Sequence, residues 1–355
     1  MSTSRELARD CARMFMVGFP GREPGADFAA LVGAGVFGAV LFQNNLGEPP
    51  RIAELCHSLK SSAGRPLALA IDQEGGRVAR LRGPPFTTLP PMRQIGIRED
   101  ENLAHRVGRL LAFELGAIGI DWDFAPVLDV DTNPANPVIG DRSLHRDPQV
   151  VARLGVALAR GLEEGGVASC GKHFPGHGDT LQDSHLALPR LTHNLDRLRR
   201  VELVPFQAYA RGHLAAVMTA HVVFEAIDPA VPATMSREVL EGILRIELGF
   251  AGVLVSDDLE MKAIADHYGI SEAVSRGAVA GVDLFLVCHQ AKLQFEAIES
   301  LIRAVESGAV PRARIDEANR RLDALQKQFV RPAENRFAQL GGREQLALAQ
   351  GLSVS

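Results

Sequence analysis

The chain alternates short, almost continuous apolar runs with longer stretches whose apolar residues recur at helical spacing, a rhythm that predicts strands and helices taken in turn. Apolar runs at 14–19, 37–42, 66–71, 124–130, 167–170, 215–220, 252–255 and 282–287 read as strands. They are apolar on successive residues, as strands covered on both faces of a parallel sheet are. Helical periodicity falls between and after them, at 27–32, 51–60, 103–117, 149–164, 195–211, 237–248, 271–279 and 293–305. The pair Gly165-Gly166 supplies a stop after the helix at 149–164. One more helix is predicted at 315–328, and residues 331–355 read as a polar tail of unknown role with no second core.

Eight strand–helix units in a chain of 355 residues predict an α/β fold, a single (β/α)8 TIM-type barrel over residues 1–330. An open doubly wound sheet is the competitor, but no glycine-rich dinucleotide fingerprint follows the first strand. In a closed barrel the polar residues after each strand share one mouth. Asp72, Gln73 and Glu74 end the third strand, and Asp129 and Asp131 lie beyond the fourth, with Arg142 in the following loop. Lys172 and His173 end the fifth, His221 the sixth, Asp257 and Asp258 the seventh and His289 the eighth. Any one of these is a helix cap or a strand-end ion pair; several on one rim point to chemistry.

The densest stretch is Lys172-His173-Phe174-Pro175-Gly176-His177-Gly178-Asp179-Thr180, running on to Asp183-Ser184-His185. Its glycines and proline forbid a continuous helix, so the polar groups emerge on irregular backbone where a strand gives way to a loop. On residue types alone, His173, His177, Asp179, Asp183 and His185 could hold a divalent metal in a barrel hydrolase. The loop lacks apolar anchors near His185 and is expected to be mobile and to close over a ligand.

Composition narrows the partners. At 46% hydrophobic and 23% charged the chain is globular, and its net charge of -5 gives no basic field for a nucleic-acid backbone. Residues 1–10 alternate charges without the basic-then-apolar pattern of a secretory signal, and no apolar run approaches membrane-spanning length. A soluble, cytoplasmic, monomeric protein with no membrane partner is expected. Cys11, Cys56, Cys170 and Cys288 are widely spaced and read as buried thiols rather than disulfides or a zinc site.

The phrases Lys172-His173-Phe174-Pro175-Gly176-His177-Gly178, Asp183-Ser184-His185 and Val255-Ser256-Asp257-Asp258-Leu259 resemble signatures of bacterial β-N-acetylglucosaminidases of glycoside hydrolase family 3. Ile71-Asp72-Gln73-Glu74-Gly75-Gly76-Arg77-Val78-Ala79-Arg80-Leu81 and Gly140-Asp141-Arg142-Ser143 are similar to the same group, while Leu144 stands where an aromatic residue is expected. The resemblance covers roughly residues 14–287 and implies a retaining mechanism without metal or other cofactor. It implies Asp257 as nucleophile and His185, paired with Asp183, as acid/base. It also implies that Asp72, Arg80, Arg142, Lys172 and His173 bind the sugar.

Neighbours on extended backbone face opposite ways, so of Asp257 and Asp258 only one is expected to aim at the sugar, with Asp258 capping the helix or bracing the loop. With one tryptophan and two tyrosines, a long aromatic platform for polysaccharide is not expected. The resemblance implies a short soluble substrate, a muropeptide releasing terminal N-acetylglucosamine in cell-wall recycling. A metal-dependent hydrolase built on His173, His177 and His185, and a muropeptide-binding sensor without catalysis, are the alternatives.

Overall fold

A computed structural model of the chain describes residues 4–332 and 334–352. The outermost residues of the amino-terminal segment and of the polar tail lie outside the described residues. The eight strands are β1 Phe15–Val17, β2 Gly38–Leu41, β3 Ala68–Ile71, β4 Trp122–Asp123, β5 Cys170–Phe174, β6 Ala216–Thr219, β7 Val253–Asp258 and β8 Leu284–Val287. They pair in parallel in the order β4-β3-β2-β1-β8-β7-β6-β5. The two end strands meet through a bridge between Trp122 and Ala168, and Ala168 N–H donates to the Asp121 carbonyl at 2.8 Å. Further along, Cys170 N–H donates to Ala125 O at 2.7 Å and Lys172 N–H to Pro126 O at 3.1 Å, so the barrel closes.

Alternate strand residues divide between two cores. Met16, Val40, Ala70, Trp122, Cys170, Met218, Val255 and Leu286 fill the barrel interior. Their neighbours Val17, Leu41, Ile71, Leu254 and Phe285 pack outward against the helices. This two-sided burial is why the strands read as continuous apolar runs. Leu144 is buried in the outer core, where an apolar side chain of that size packs against Gly155. The four cysteines are free and buried, as expected, and burial pushes the Cys11 and Cys56 thiols up to about 12.

Two strand boundaries differ from expectation. The regular part of β4 is Trp122–Asp123, ahead of the expected run at 124–130, which instead meets β5 through single contacts such as the bridge between Val127 and Lys172 and the Leu128 N–H donating to Lys172 O at 2.7 Å. β5 runs past the expected end at Cys170 through Lys172 and His173 to Phe174, with its pairing to β6 irregular between Gly171 and Phe174.

The helix Arg312–Phe329 closes the end of the barrel away from the mouth, with Leu322, Leu325 and Phe329 joining the interior core. Asp283, at the foot of β8 and fully buried, accepts from Arg245 at 2.7 Å, Arg321 at 3.0 Å and Leu254 N–H at 3.0 Å, and also pairs with Arg314. The polar tail lies along the helix Glu101–Ala117, where Gln345 donates to Glu114 at 2.5 Å and Arg336 N–H to Ala117 O at 3.0 Å. No helix among the described residues is long and apolar enough to cross a membrane.

Removing the acceptor of a buried ion cluster strands its cations. Asp283→Ala is expected to lower the unfolding free energy by about 3 kcal/mol, read as an earlier urea midpoint at unchanged slope.

Candidate active site

At the carboxyl ends of the strands a cavity of about 340 Å³ opens, lined by groups from β2, β3, β5, β7 and β8 and their loops. That volume suits one small ligand, at the lower end of the ~300–1,000 Å³ common for such sites. Of the rim residues that sequence reasoning named, Asp72, Glu74, Arg142, Lys172, His173, Asp257, Asp258 and His289 line it, while Gln73, Asp129, Asp131 and His221 do not; Arg80 and His185 line it as well, and Asp183 stands behind His185.

One wall is an ion cluster. The Lys172 ammonium, buried at the end of β5, lies 2.7 Å from Asp72 and 2.6 Å from Glu74. Arg142 grips the same Glu74 with two hydrogen bonds of 2.9 and 2.8 Å, and Arg80 reaches Asp72 at 3.3 Å. Burial alone would raise the Glu74 carboxyl, but Arg142 and Lys172 overcome it and hold the group far below the ordinary carboxylate range. Burial opposes the Lys172 charge in the same way, and Asp72 and Glu74 keep it cationic. Asp72 retains accessible oxygen surface beside these donors, so the wall offers both acceptors and donors to a hydroxylated ligand.

A second buried carboxylate, Asp129, organises the histidines. It accepts from His173 Nδ1 at 2.7 Å and from the His177 backbone N–H at 2.6 Å. Burial favours its neutral form, and His173 and His177 reverse that effect. Gly178 permits the close approach this needs, since a Cβ there would come within 1.8 Å of the Val130 carbonyl oxygen. The His177 ring is buried between Thr180 Oγ1 at 2.7 Å and Ser184 Oγ at 3.0 Å, and burial lowers its pKa to about 4.

Beyond His177 the loop carries the dyad. Asp183 accepts both the backbone N–H of His185, at 2.8 Å, and its ring Nδ1, at 2.7 Å, which leaves Nε2 free on a ring whose side chain is 61% exposed. Burial would raise the Asp183 carboxyl, and the His185 contacts hold it lower instead. Leu181 and Leu186 on the same loop are exposed, as the expected lack of apolar anchoring implies.

On β7 the pairing with β8 slips between Val255 and Asp258, which breaks the strict alternation of faces. Both Asp257 and Asp258 therefore border the cavity, contrary to the simple two-face expectation. Their carboxyls are employed differently. Asp258 braces the loops as expected, accepting from Glu260 N–H at 3.2 Å and Cys288 N–H at 3.3 Å and pairing with His289 at 3.1 Å. Asp257 accepts only the Asp258 N–H, at 2.8 Å. Burial works against its ionisation, yet the His221, His173 and His185 rings and that N–H hold its carboxyl below its ordinary value. His221 is fastened to Thr234 at 2.7 Å and to the Asp258 carbonyl at 3.1 Å.

Sequence reasoning placed Glu74 and Asp129 on the rim without a ligand-binding or catalytic role, and both are hubs of the site. Asp123, buried at the end of β4 with burial driving its carboxyl well above the ordinary range, escaped notice because the fourth strand was expected to begin only after it, at residue 124.

Residues 7–325 match the model of the glycosyl hydrolase family 3 N-terminal domain. A β-hexosaminidase of Thiobacillus denitrificans is 44% identical over 286 residues, covering 79% of this chain and 78% of the relative. A β-hexosaminidase of Neisseria meningitidis is 45% identical, with 76% of each chain covered. Among solved structures, NagZ from Neisseria gonorrhoeae in complex with N-trifluoroacetyl-D-glucosamine superposes with a TM-score of 0.82 at 36% identity, over 96% of this chain and 98% of that one. The family 3 β-N-acetylglucosaminidase from a Paenibacillus strain gives 0.87 at 41% identity over 98% of this chain, which spans 64% of that longer enzyme. The chain belongs to glycosyl hydrolase family 3. It is a glycoside hydrolase, of the β-N-acetylhexosaminidase kind.

The Glu74 charge is a stability term with a definite pH window. Its folded pKa is depressed, so its contribution is complete above the unfolded value of about 4.3 and is lost as pH falls towards the folded one. Glu74→Gln is expected to cost about 3 kcal/mol near neutral pH. Denaturant titrations across a pH series should show the gap to the wild type narrowing below about pH 4; a constant gap would assign it to packing instead.

Proposed function

We propose that the chain is a retaining exo-β-N-acetylglucosaminidase that removes terminal N-acetylglucosamine from small muropeptide fragments, as a soluble monomer in cytoplasmic cell-wall recycling. One observation carries the reading. A carboxylate held ionised, Asp257, and an imidazole oriented by a carboxylate, His185 with Asp183, face one cavity of single-sugar size.

In the first step the Asp257 carboxylate attacks the anomeric carbon while the His185 imidazolium gives its Nε2 proton to the departing glycosidic oxygen. The bond to the aglycone breaks and a glycosyl ester forms. In the second, neutral His185 takes a proton from water, the water oxygen bonds to the anomeric carbon, and the Asp257 carboxylate is released. Asp183 fixes the ring tautomer and stabilises the charged form. An imidazole in this role also avoids placing a second carboxylate against Asp257.

Asp72, Arg80, Arg142, Lys172 and His173 hold the sugar, with Asp72 as acceptor and the cations as donors to its hydroxyl and acetamido groups. Phe42 and Phe124 are the aromatic rings of the cavity wall, and Trp122 is buried in the core. Such a site favours one terminal residue of a short substrate over an extended polysaccharide. Against the metal reading, both ring nitrogens of His177 are engaged by Thr180 and Ser184, and among the described residues no group of three or more His, Cys, Asp or Glu side chains is disposed to hold a metal ion. A sensor without catalysis would have no use for the Asp183–His185 pair.

An aryl β-N-acetylglucosaminide should be cleaved far faster than the matching β-glucoside; equal rates would overturn the substrate assignment. Asp257→Ala should remove nearly all turnover from a folded protein. His185→Ala should reduce kcat/KM for poor leaving groups by about 10²-fold or more, and for activated aryl glycosides far less. Asp183→Ala should follow the same pattern more mildly. Prolonged chelation should leave the rate unchanged, and loss restored by zinc or manganese would favour the metal reading.

A further inference from the structure

Ser184 stands between the two members of the dyad and behaves unlike either. It is 2% exposed, whereas the His185 side chain is 61% exposed and the Asp183 side chain 27%. Its hydroxyl meets His177 Nε2 at 3.0 Å, and its carbonyl accepts the Ala263 N–H at 3.2 Å. Ser184 thus ties the loop to β5 through His177 and to the segment after β7 through Ala263. Those are the two sides of the mouth between which an acid/base has to stand.

The rest of the loop tip offers little competing restraint. Leu181 is 76% exposed and Leu186 68%, so no apolar side chain anchors the tip. The His177 ring, by contrast, is immobilised. Its other nitrogen is held by Thr180 Oγ1 at 2.7 Å, its backbone N–H by Asp129 at 2.6 Å and its carbonyl by Asn136 Nδ2 at 2.9 Å. Asp129 in turn holds His173. A continuous hydrogen-bonded chain therefore runs from His173 on the sugar-facing wall through Asp129 and His177 to Ser184, and ends one residue from His185.

We propose that Ser184 and His177, which border the cavity, form a strut that sets the position of the acid/base loop, making both positioning residues for proton transfer. The imidazole–hydroxyl contact is buried, so no water replaces it at full strength when one partner is removed. Losing it frees the loop tip, and His185 then spends less time within hydrogen-bond reach of the glycosidic oxygen. The Asp257 step and the ion cluster at Lys172 are untouched. The proposal rests on the assignment of His185 as acid/base.

The test measures kcat/KM, which reports the glycosylation step alone, for methyl and dinitrophenyl β-N-acetylglucosaminides with Ser184→Ala, His185→Ala and the double variant. Ser184→Ala should slow the methyl glycoside about tenfold and the dinitrophenyl glycoside less than about twofold, because only the former needs a proton at the leaving oxygen. In the His185→Ala background the same substitution should have no further effect, since a strut without its load contributes nothing to the rate. A Ser184 effect that persists in that background, or equal slowing of both substrates, overturns the strut. So does wild-type behaviour of Ser184→Ala while His185→Ala shows its leaving-group dependence. If His185→Ala shows none, the acid/base assignment itself has failed. His177→Ala, which breaks the same contact from the other side, should reproduce the Ser184→Ala selectivity and add little to it in combination.

Discussion

The buried ammonium of Lys172 between Asp72 and Glu74 is the interaction around which the mouth of the barrel is built. A lysine with its head group out of water would ordinarily lose its proton, and a carboxylate as buried as Glu74 would ordinarily gain one. Each keeps its charge because the other is 2.6 Å away and because Arg142 and Asp72 extend the pair into a network. Three elements are tied at one point: the end of β3, the end of β5 and the loop that carries Arg142. Removing any single member leaves a desolvated charge, so the cluster holds its geometry more firmly than exposed ion pairs hold theirs. A rigid polar wall of this kind loses little entropy on binding a sugar, because its donors and acceptors are already oriented.

A gradient of restraint runs across the same cavity. The wall at β3 and β5 is buried and charged, and the Asp257 carboxyl on β7 is held by its neighbour's N–H. The loop with Asp183 and His185 is held mainly by polar contacts, and its leucines are in solvent. This gradient suits the mechanism we propose, in which a glycone and a nucleophile need fixed positions, whereas the group that serves the leaving oxygen stands where the aglycone must enter and leave.

The slip between β7 and β8 shows how a small departure from regularity matters. Regular alternation would turn either Asp257 or Asp258 towards the helices. The irregular register brings both to the mouth, where Asp258 ties Cys288, Glu260 and His289 together. Asp257 is left with few protein partners and a carboxyl that stays ionised.

Much of this was legible in the chain itself, because it depends on local pattern. Apolar runs at strand length, helical periodicity between them and polar residues just after the runs defined a barrel and its mouth, features that follow from which side chains avoid water and from the spacing of a repeating backbone. The motifs around Lys172 and Asp257 pointed to a chemistry through their resemblance to a known family. The structure decided what depends on contacts between distant segments. Glu74 became the partner of both Lys172 and Arg142, and Asp129 the acceptor for His173 and His177. Asp123 entered the core, and the regular part of β4 fell before the apolar run at 124–130. A carboxylate reads the same in sequence whether it caps a helix, binds a cation or keeps a proton. Only its neighbours in space, through desolvation and opposing charge, determine which of these it does.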